Sequence, residues 1–404
     1  MPTALISHHD DFLELCEHIR ESGLVAFDTE FVSESTYRPD LGLLQFATQN
    51  RSAAVDPLTV GDLSPWWEIM ADDQTTVVVH GGQAEIRFCL QQISKRPQKL
   101  YDIQLAEGFR GRSYPLSYSA IVQRVLNLQV DGSQTRTDWL RRPLSDDQLQ
   151  YALEDVDHIL EIWQKQTDWL VKHGRLEWVE SEIQRMVADI AADDSTAPWH
   201  RLSGTHKLSR RELAIVQKLS VWREEEAAFR NRPVRRIMRD DLLIDLARRK
   251  PKTKQQALAT RDLNRPEYKR RIDDVVGIIG EALSIPTAEL PEKLRSRRHE
   301  SSSDEQVISK LLSLSLSNRC AELNMSQTLV ANNKDLTELV RYHRFNQNGD
   351  GTPRILEGWR AEVCGQLLLD VMDGKVGFRV APTTAATPLE FCYDQNGAAK
   401  PDFD

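Results

Sequence analysis

At 404 residues the chain is too long for one ordinary hydrophobic core, and roughly 100–200 residues per domain suggests about two to four domains. Hydrophobic residues make up 40% and charged residues 28%, the balance of a soluble globular protein. The net charge of −9 excludes nucleic-acid binding through overall charge, so any such contact must come from a local basic cluster.

The five cysteines (Cys16, Cys89, Cys320, Cys364, Cys392) are scattered and contain no C-x-x-C pair. This argues against a disulfide framework or zinc site and fits a reducing cytosol. The N-terminal stretch MPTALISHHDDFLELC lacks the charged-then-apolar layout of a signal peptide. No run reaches the ~18 apolar residues of a membrane span. A soluble, cytoplasmic monomer without membrane contact is expected.

Residues 1–170 alternate strand-like and helix-like segments. Strands are predicted at LVAFD (24–28), LGLLQFAT (41–48), SAAVD (52–56) and TTVVVH (75–80), each bounded by turn formers. DDFLELCEHIR, AEIRFCLQQI and DQLQYALEDVDHILEIWQKQTDWLV carry helical periodicity, the last through Leu149, Leu153, Val156, Ile159, Leu160 and Trp163. Strands in quick succession followed by strands separated by helices predict an α/β domain with a mixed sheet. A helical connector follows over 171–206, then a basic helical domain over 207–290. HESSSDEQ (299–306) reads as a polar linker, 305–380 as a second helical domain, and 381–404 as a loose tail.

Four acidic positions carry the candidate chemistry. Asp28 and Glu30 end an apolar strand, and their i, i+2 spacing puts both side chains on one face. Glu85 opens a helix after the strand TTVVVH. Tyr151 and Asp155 stack one turn apart on a helix. Hard dications such as Mg²⁺ take carboxylate oxygens. Carboxylates converging from strand and helix ends can hold two ions ~3.5–4 Å apart for phosphoryl displacement.

LVAFDTEF, HGGQAEI and YALEDV together resemble the three motifs of the DEDD 3′→5′ exonucleases, in the branch that carries a tyrosine. DGSQTRTDWLRRPLSDDQLQYALEDV is similar to ribonuclease D in particular. The resemblance, spanning about residues 5–170, implies a ribonuclease H-like exonuclease fold. It implies Asp28, Glu30, Glu85 and Asp155 as ligands for two Mg²⁺ or Mn²⁺ ions, and Tyr151 as the residue that orients or helps deprotonate the attacking water. The second motif normally supplies aspartate, whereas this chain has Glu85, whose side chain is one methylene longer. Asp102 matches a structural acid of the same family. Thr29, Phe31, Gln45 and His80 match positions lining the site, and Phe31 could stack on the terminal base. Ser133, Gln134, Arg136, Trp139 and Arg142 belong to the family-specific run. The arginines there suit phosphate contact, and Trp139 suits packing on the following helix.

Between Arg230 and Lys254, ten basic residues face three acids. The surrounding text, with W-R-E-x-x-A and R-D-x-x-L-x-x-L-A, resembles the HRDC domain. That resemblance makes Trp222, Leu242, Leu243 and Leu246 core, and Arg235, Arg236, Arg248 and Arg249 candidate RNA contacts. Around Gly358-Trp359-Arg360 the chain resembles a second, divergent HRDC-type region. The expected activity is release of nucleoside 5′-monophosphates from RNA 3′ ends, such as those of tRNA precursors, with no nucleotide cofactor. A DNA-directed exonuclease and a non-catalytic RNA-binding protein with a degenerate site are the alternatives.

Overall fold

The computed structural model describes residues 5–130, 137–293, 303–344 and 351–393. Its main sheet contains β1 (Leu5–Ile6), β2 (Leu24–Val32), β3 (Asp40–Ala47), β4 (Ser52–Val55), β5 (Thr76–Val79) and β6 (Leu100–Asp102), in the order β1-β4-β3-β2-β5-β6. Short loops join β2, β3 and β4, which therefore pair antiparallel. Helical crossovers separate β2, β5 and β6, and these run parallel. The mixed sheet was legible in the sequence, but the edge strands β1 and β6, of two and three residues, were not.

Alternation along β2 divides its side chains between two environments. Phe27 faces a layer with Phe46, Trp66 and Trp67, its ring 4.5 Å from that of Trp66. On the other face, Leu43 and Ala54 lie under Trp139 and under Leu149 and Ala152 of the helix Asp146–Asp157. The long amphipathic run predicted there is two helices, Asp146–Asp157 and Ile159–Lys172, meeting at His158. Ser145 starts the first with a capping box closed by Gln148.

The helices Arg210–Phe229, Asp240–Arg249 and Ile272–Ser284 enclose a second core containing Leu219, Leu243, Leu246 and Ile279. Trp222 packs partly buried against it.

The C-terminal part differs from expectation in three ways. The helix Ser303–Glu322 begins inside the predicted linker. The strand Leu389–Tyr393 pairs antiparallel with Val376–Val380, so the predicted loose tail contains a strand. Its Ala, Thr and Pro residues occupy the turn before that strand and mask the alternation after it. Finally, Leu312, Leu316, Leu339, Trp359 and Leu368 join the exonuclease core rather than forming one of their own. Ser326 N donates to Gly108 O at 2.9 Å, and Trp359 meets the Phe109 ring at 4.8 Å. Buried Glu182, on the helix Leu176–Ser195, accepts from Arg360 at 2.7 and 2.8 Å, from Arg354 at 2.8 Å and from the Trp359 indole at 3.3 Å. Among the described residues no helix is long and apolar enough to cross a membrane.

Candidate active site

β2 carries Asp28 and Glu30 on the face covered by the helix Asp146–Asp157, which brings Asp155 over the strand. Glu85 arrives in the first turn of the helix Gln83–Ile93, just after the turn that follows β5. The Gly81–Gly82 turn between them is built for close approach. Gly81 has φ +67°, and a Cβ on Gly82 would stand 2.4 Å from Val79 Cγ2. Buried Asp102 holds the turn from behind, accepting from Gly81 N at 3.0 Å, Gly82 N at 3.1 Å and Gln104 N at 2.8 Å. The structural role implied for Asp102 is thus visible in its bonds.

The electrostatics of these acids are strained. Burial raises Asp28 well above the usual carboxylate range, and Glu85, Asp155 and Glu30 raise it further. Burial, then Asp155 and Glu85, push Glu30 to about 8. Burial raises Glu85 to about 7, although the Thr29 hydroxyl opposes the shift. Burial likewise raises Asp155 to about 6. Among the described residues no lysine, arginine or histidine forms a salt bridge with any of the four. Tyr151, one turn before Asp155, has its hydroxyl within hydrogen-bonding reach of that carboxylate. The Trp139 ring packs 6.3 Å from the Tyr151 ring, and Gly42 leaves room for Trp139, since a Cβ there would meet the Trp139 Cβ at 2.6 Å.

One buried and three half-buried carboxylates, with no ion-pair partner among the described residues, fit a hard divalent cation, and an all-oxygen donor set suits Mg²⁺ or Mn²⁺. Among the described residues, however, no three potential ligand side chains stand close enough to form a ready coordination sphere. Glu85 explains part of this. The Thr29 hydroxyl donates to Glu85 Oε1 at 2.6 Å, and Thr29 projects from the opposite side of β2 to Asp28 and Glu30. One oxygen of the longer acid is thus committed to Thr29 rather than free for a cation.

Other candidates sit differently from expectation. The Thr29 hydroxyl is committed to Glu85 rather than facing substrate. Phe31 packs edge-on against Phe88 at 5.5 Å, within the apolar layer. His80 Nε2 lies 3.0 Å from Leu116 O and ties the end of β5 to a neighbouring loop. Gln45 pairs in register with Asp28 but is fully enclosed, and neither of its side-chain polar atoms has a partner.

Arg142 requires the largest correction. Its five donors all bond within the protein: Nε and Nη2 to Asp56 at 2.6 and 2.7 Å, Nη2 also to Gly42 O at 2.7 Å, and Nη1 to Trp139 O at 2.8 Å and Arg141 O at 3.0 Å. No donor remains for a phosphate, so Arg142 anchors the segment that presents Trp139 to Tyr151. Ser133, Gln134 and Arg136 lie outside the described residues. Sequence reasoning missed Tyr118, whose hydroxyl donates to Glu154 O at 3.0 Å and accepts from His158 N at 3.2 Å, fixing the helix end beside Asp155. Arg235, Arg236, Arg248 and Arg249 are all exposed, and Arg235 pairs with Asp240 at 3.3 Å.

Residues 4–170 match the family model described as 3′-5′ exonuclease, and residues 212–279 match the HRDC domain. The chain is 31% identical to ribonuclease D of Sphingobium indicum, over 93% of this chain and 96% of that protein. It is 30% identical to ribonuclease D of Zymomonas mobilis, over 95% and 98% respectively. The chain belongs to the ribonuclease D family. In keeping with this, its structure is similar to that of Escherichia coli RNase D, described as an exoribonuclease involved in structured RNA processing. The TM-score is 0.80 at 27% identity, covering 93% of this chain and 99% of that one. A 3′→5′ exoribonuclease activity follows from the family.

Proposed function

We propose that the enzyme hydrolyses the 3′-terminal phosphodiester of RNA at Asp28, Glu30, Glu85 and Asp155 and releases nucleoside 5′-monophosphates. The observation that supports this reading best is the cluster of four buried or half-buried acids with raised pKa values and, among the described residues, no ion-pair partner. Divalent cations held by these acids supply charge neutralisation and activation of water. Asp28 and Glu30 form one wall of the site and Asp155 the other. Tyr151 offers its hydroxyl beside Asp155 as hydrogen-bond partner to the attacking water, and Trp139 sets the position of that ring. Its strongly raised pKa, due first to burial and then to Asp155, keeps Tyr151 neutral and able to donate.

The proposed substrates are RNAs with single-stranded 3′ ends, tRNA precursors among them, and the protein acts as a cytoplasmic monomer. We read residues 305–380 as a divergent second HRDC-like unit, a reading supported by the helices Ser303–Glu322 and Asn333–Arg344. Matched 3′-labelled RNA and DNA, digested with Mg²⁺, Mn²⁺ or EDTA, test the proposal. Mononucleotide release from RNA with metal is the expected result. Faster release from DNA would favour the DNA-directed reading, and no release in any metal would leave RNA binding alone.

A further inference from the structure

The turn after the helix Arg210–Phe229 carries the HRDC domain to the exonuclease. Asn231, at φ +44°, accepts a hydrogen bond from Tyr37 N at 3.1 Å, and Glu224 hydrogen-bonds the Tyr37 hydroxyl. Tyr37 lies in the segment that leaves β2, seven residues after Glu30, so chain geometry keeps the two within about 25 Å.

Beside this seam is a cavity of about 350 Å³ lined by Arg230, Arg232, Glu267, Arg270 and Arg271. Glu226 takes Nε of both Arg230 and Arg271, the latter at 2.7 Å. This fixes two guanidinium groups without consuming the Nη nitrogens of Arg230. Arg232 and Arg270 are exposed and form no ion pair among the described residues. Four arginines against two acids leave a positive cradle whose planar forks match phosphate geometry.

The other basic patch of this domain is distant. Lys250, next to Arg248 and Arg249, bonds Glu212 at 2.8 Å, at the opposite end of the 20-residue helix from Arg230. A helix of that length spans about 30 Å.

We propose that the seam cavity is a phosphodiester-binding site, which holds the RNA strand a few nucleotides upstream of the 3′ end being cut. The direction of the strand rests on the active-site reading above, whereas the binding itself does not. Each arginine placed on a non-bridging phosphate oxygen adds a charge-assisted bond where the strand approaches the cleft.

The test pairs Arg232→Ala/Arg270→Ala with Arg248→Ala/Arg249→Ala in the full chain. Fluorescence anisotropy in EDTA measures binding of a long single-stranded RNA and needs no turnover. Because both seam residues are exposed and, among the described residues, form no ion pair, an unchanged melting temperature is expected. The seam variant should bind the long RNA more weakly by about tenfold per arginine. Its plot of log affinity against log salt should be shallower by about 0.7 per lost contact. Cleavage of a dinucleotide should keep its kcat/KM. Inorganic phosphate should compete only at far higher concentration than RNA, which separates a strand site from a site for free anions. Unchanged affinity and salt slope in the seam variant would overturn the proposal, as would an equal loss on the dinucleotide. If all metal-supported cleavage is absent but the anisotropy loss is seen, the active-site reading fails and the seam site stands.

Discussion

Glutamate at position 85 decides how the acids meet. Its extra methylene lets Oε1 reach the Thr29 hydroxyl, and that bond ties one of its two carboxylate oxygens to the protein. Glu85→Asp cannot make that reach and should leave both carboxylate oxygens free for a cation. Single-turnover rates in Mg²⁺ should therefore rise in Glu85→Asp, and the advantage of Mn²⁺ over Mg²⁺ should shrink. A slower Glu85→Asp in Mg²⁺ would mean that the backbone already accommodates glutamate. Tyr151→Phe removes only a hydroxyl, and the chemical step should slow by about 100- to 10,000-fold while metal-induced stabilisation persists. The acids also set a pH dependence. Glu30, Glu85 and Asp155 have folded-state values of about 8, 7 and 6, above the roughly 4 of an unfolded carboxyl. Such groups favour the folded state when protonated, and that contribution is lost as pH rises through the folded values. The metal-free protein should therefore lose melting temperature between about pH 5 and 8, and Mg²⁺ or Mn²⁺ should restore it. Asp28→Asn should flatten this dependence and abolish hydrolysis. A flat metal-free profile in the parent would show that the acids are better solvated than their enclosure implies.

At the scale of elements, the segment 137–144 braces the helix Asp146–Asp157 and keeps its Arg142 donors within the protein. Asp56 is almost fully enclosed and also caps the short helix Pro57–Val60, so Arg142→Ala would strand its charge. A destabilisation of about 3–5 kcal/mol is expected in denaturant unfolding, with little change in the affinity for RNA. The reverse pattern would return Arg142 to the substrate. The positions of Asp28, Glu30 and Asp155 were legible in the sequence because each depends on local periodicity: two residues along a strand, four along a helix. Tyr151 was legible for the same reason. The Arg142–Asp56 pair joins residues 86 apart, and the enclosure of Gln45 depends on strands and a helix that meet only in the folded chain. No local spacing encodes either one. Residue type was informative where backbone geometry fixes direction, and misleading where a long polar side chain could choose among distant partners. Arg142, His80 and Thr29 all fall in the second group.

At the scale of the whole molecule, buried Glu182 bonds Arg360, Arg354 and Trp359 across the junction between the exonuclease and the C-terminal helices. Glu182→Ala would leave two guanidinium groups without their acid in an enclosed site, at a cost of about 3–5 kcal/mol. Calorimetry should show two transitions, one for the HRDC core and one shared by the exonuclease and the C-terminal helices, with Glu182→Ala lowering only the second. A single transition lowered as a whole would show that the two cores are coupled. The shared core also has a consequence during synthesis. The exonuclease sheet is complete at Asp102, but apolar residues that cover its core extend to Val376. At about 5–20 residues per second, the roughly two hundred residues that follow the exonuclease domain take on the order of 10–40 s to emerge. During that interval the nascent nuclease displays the apolar surface later covered by Trp359 and Leu368, while the HRDC domain between can already close on itself. The ribosome thus finishes the middle of this protein before its beginning, and the first domain made is among the last to be sealed.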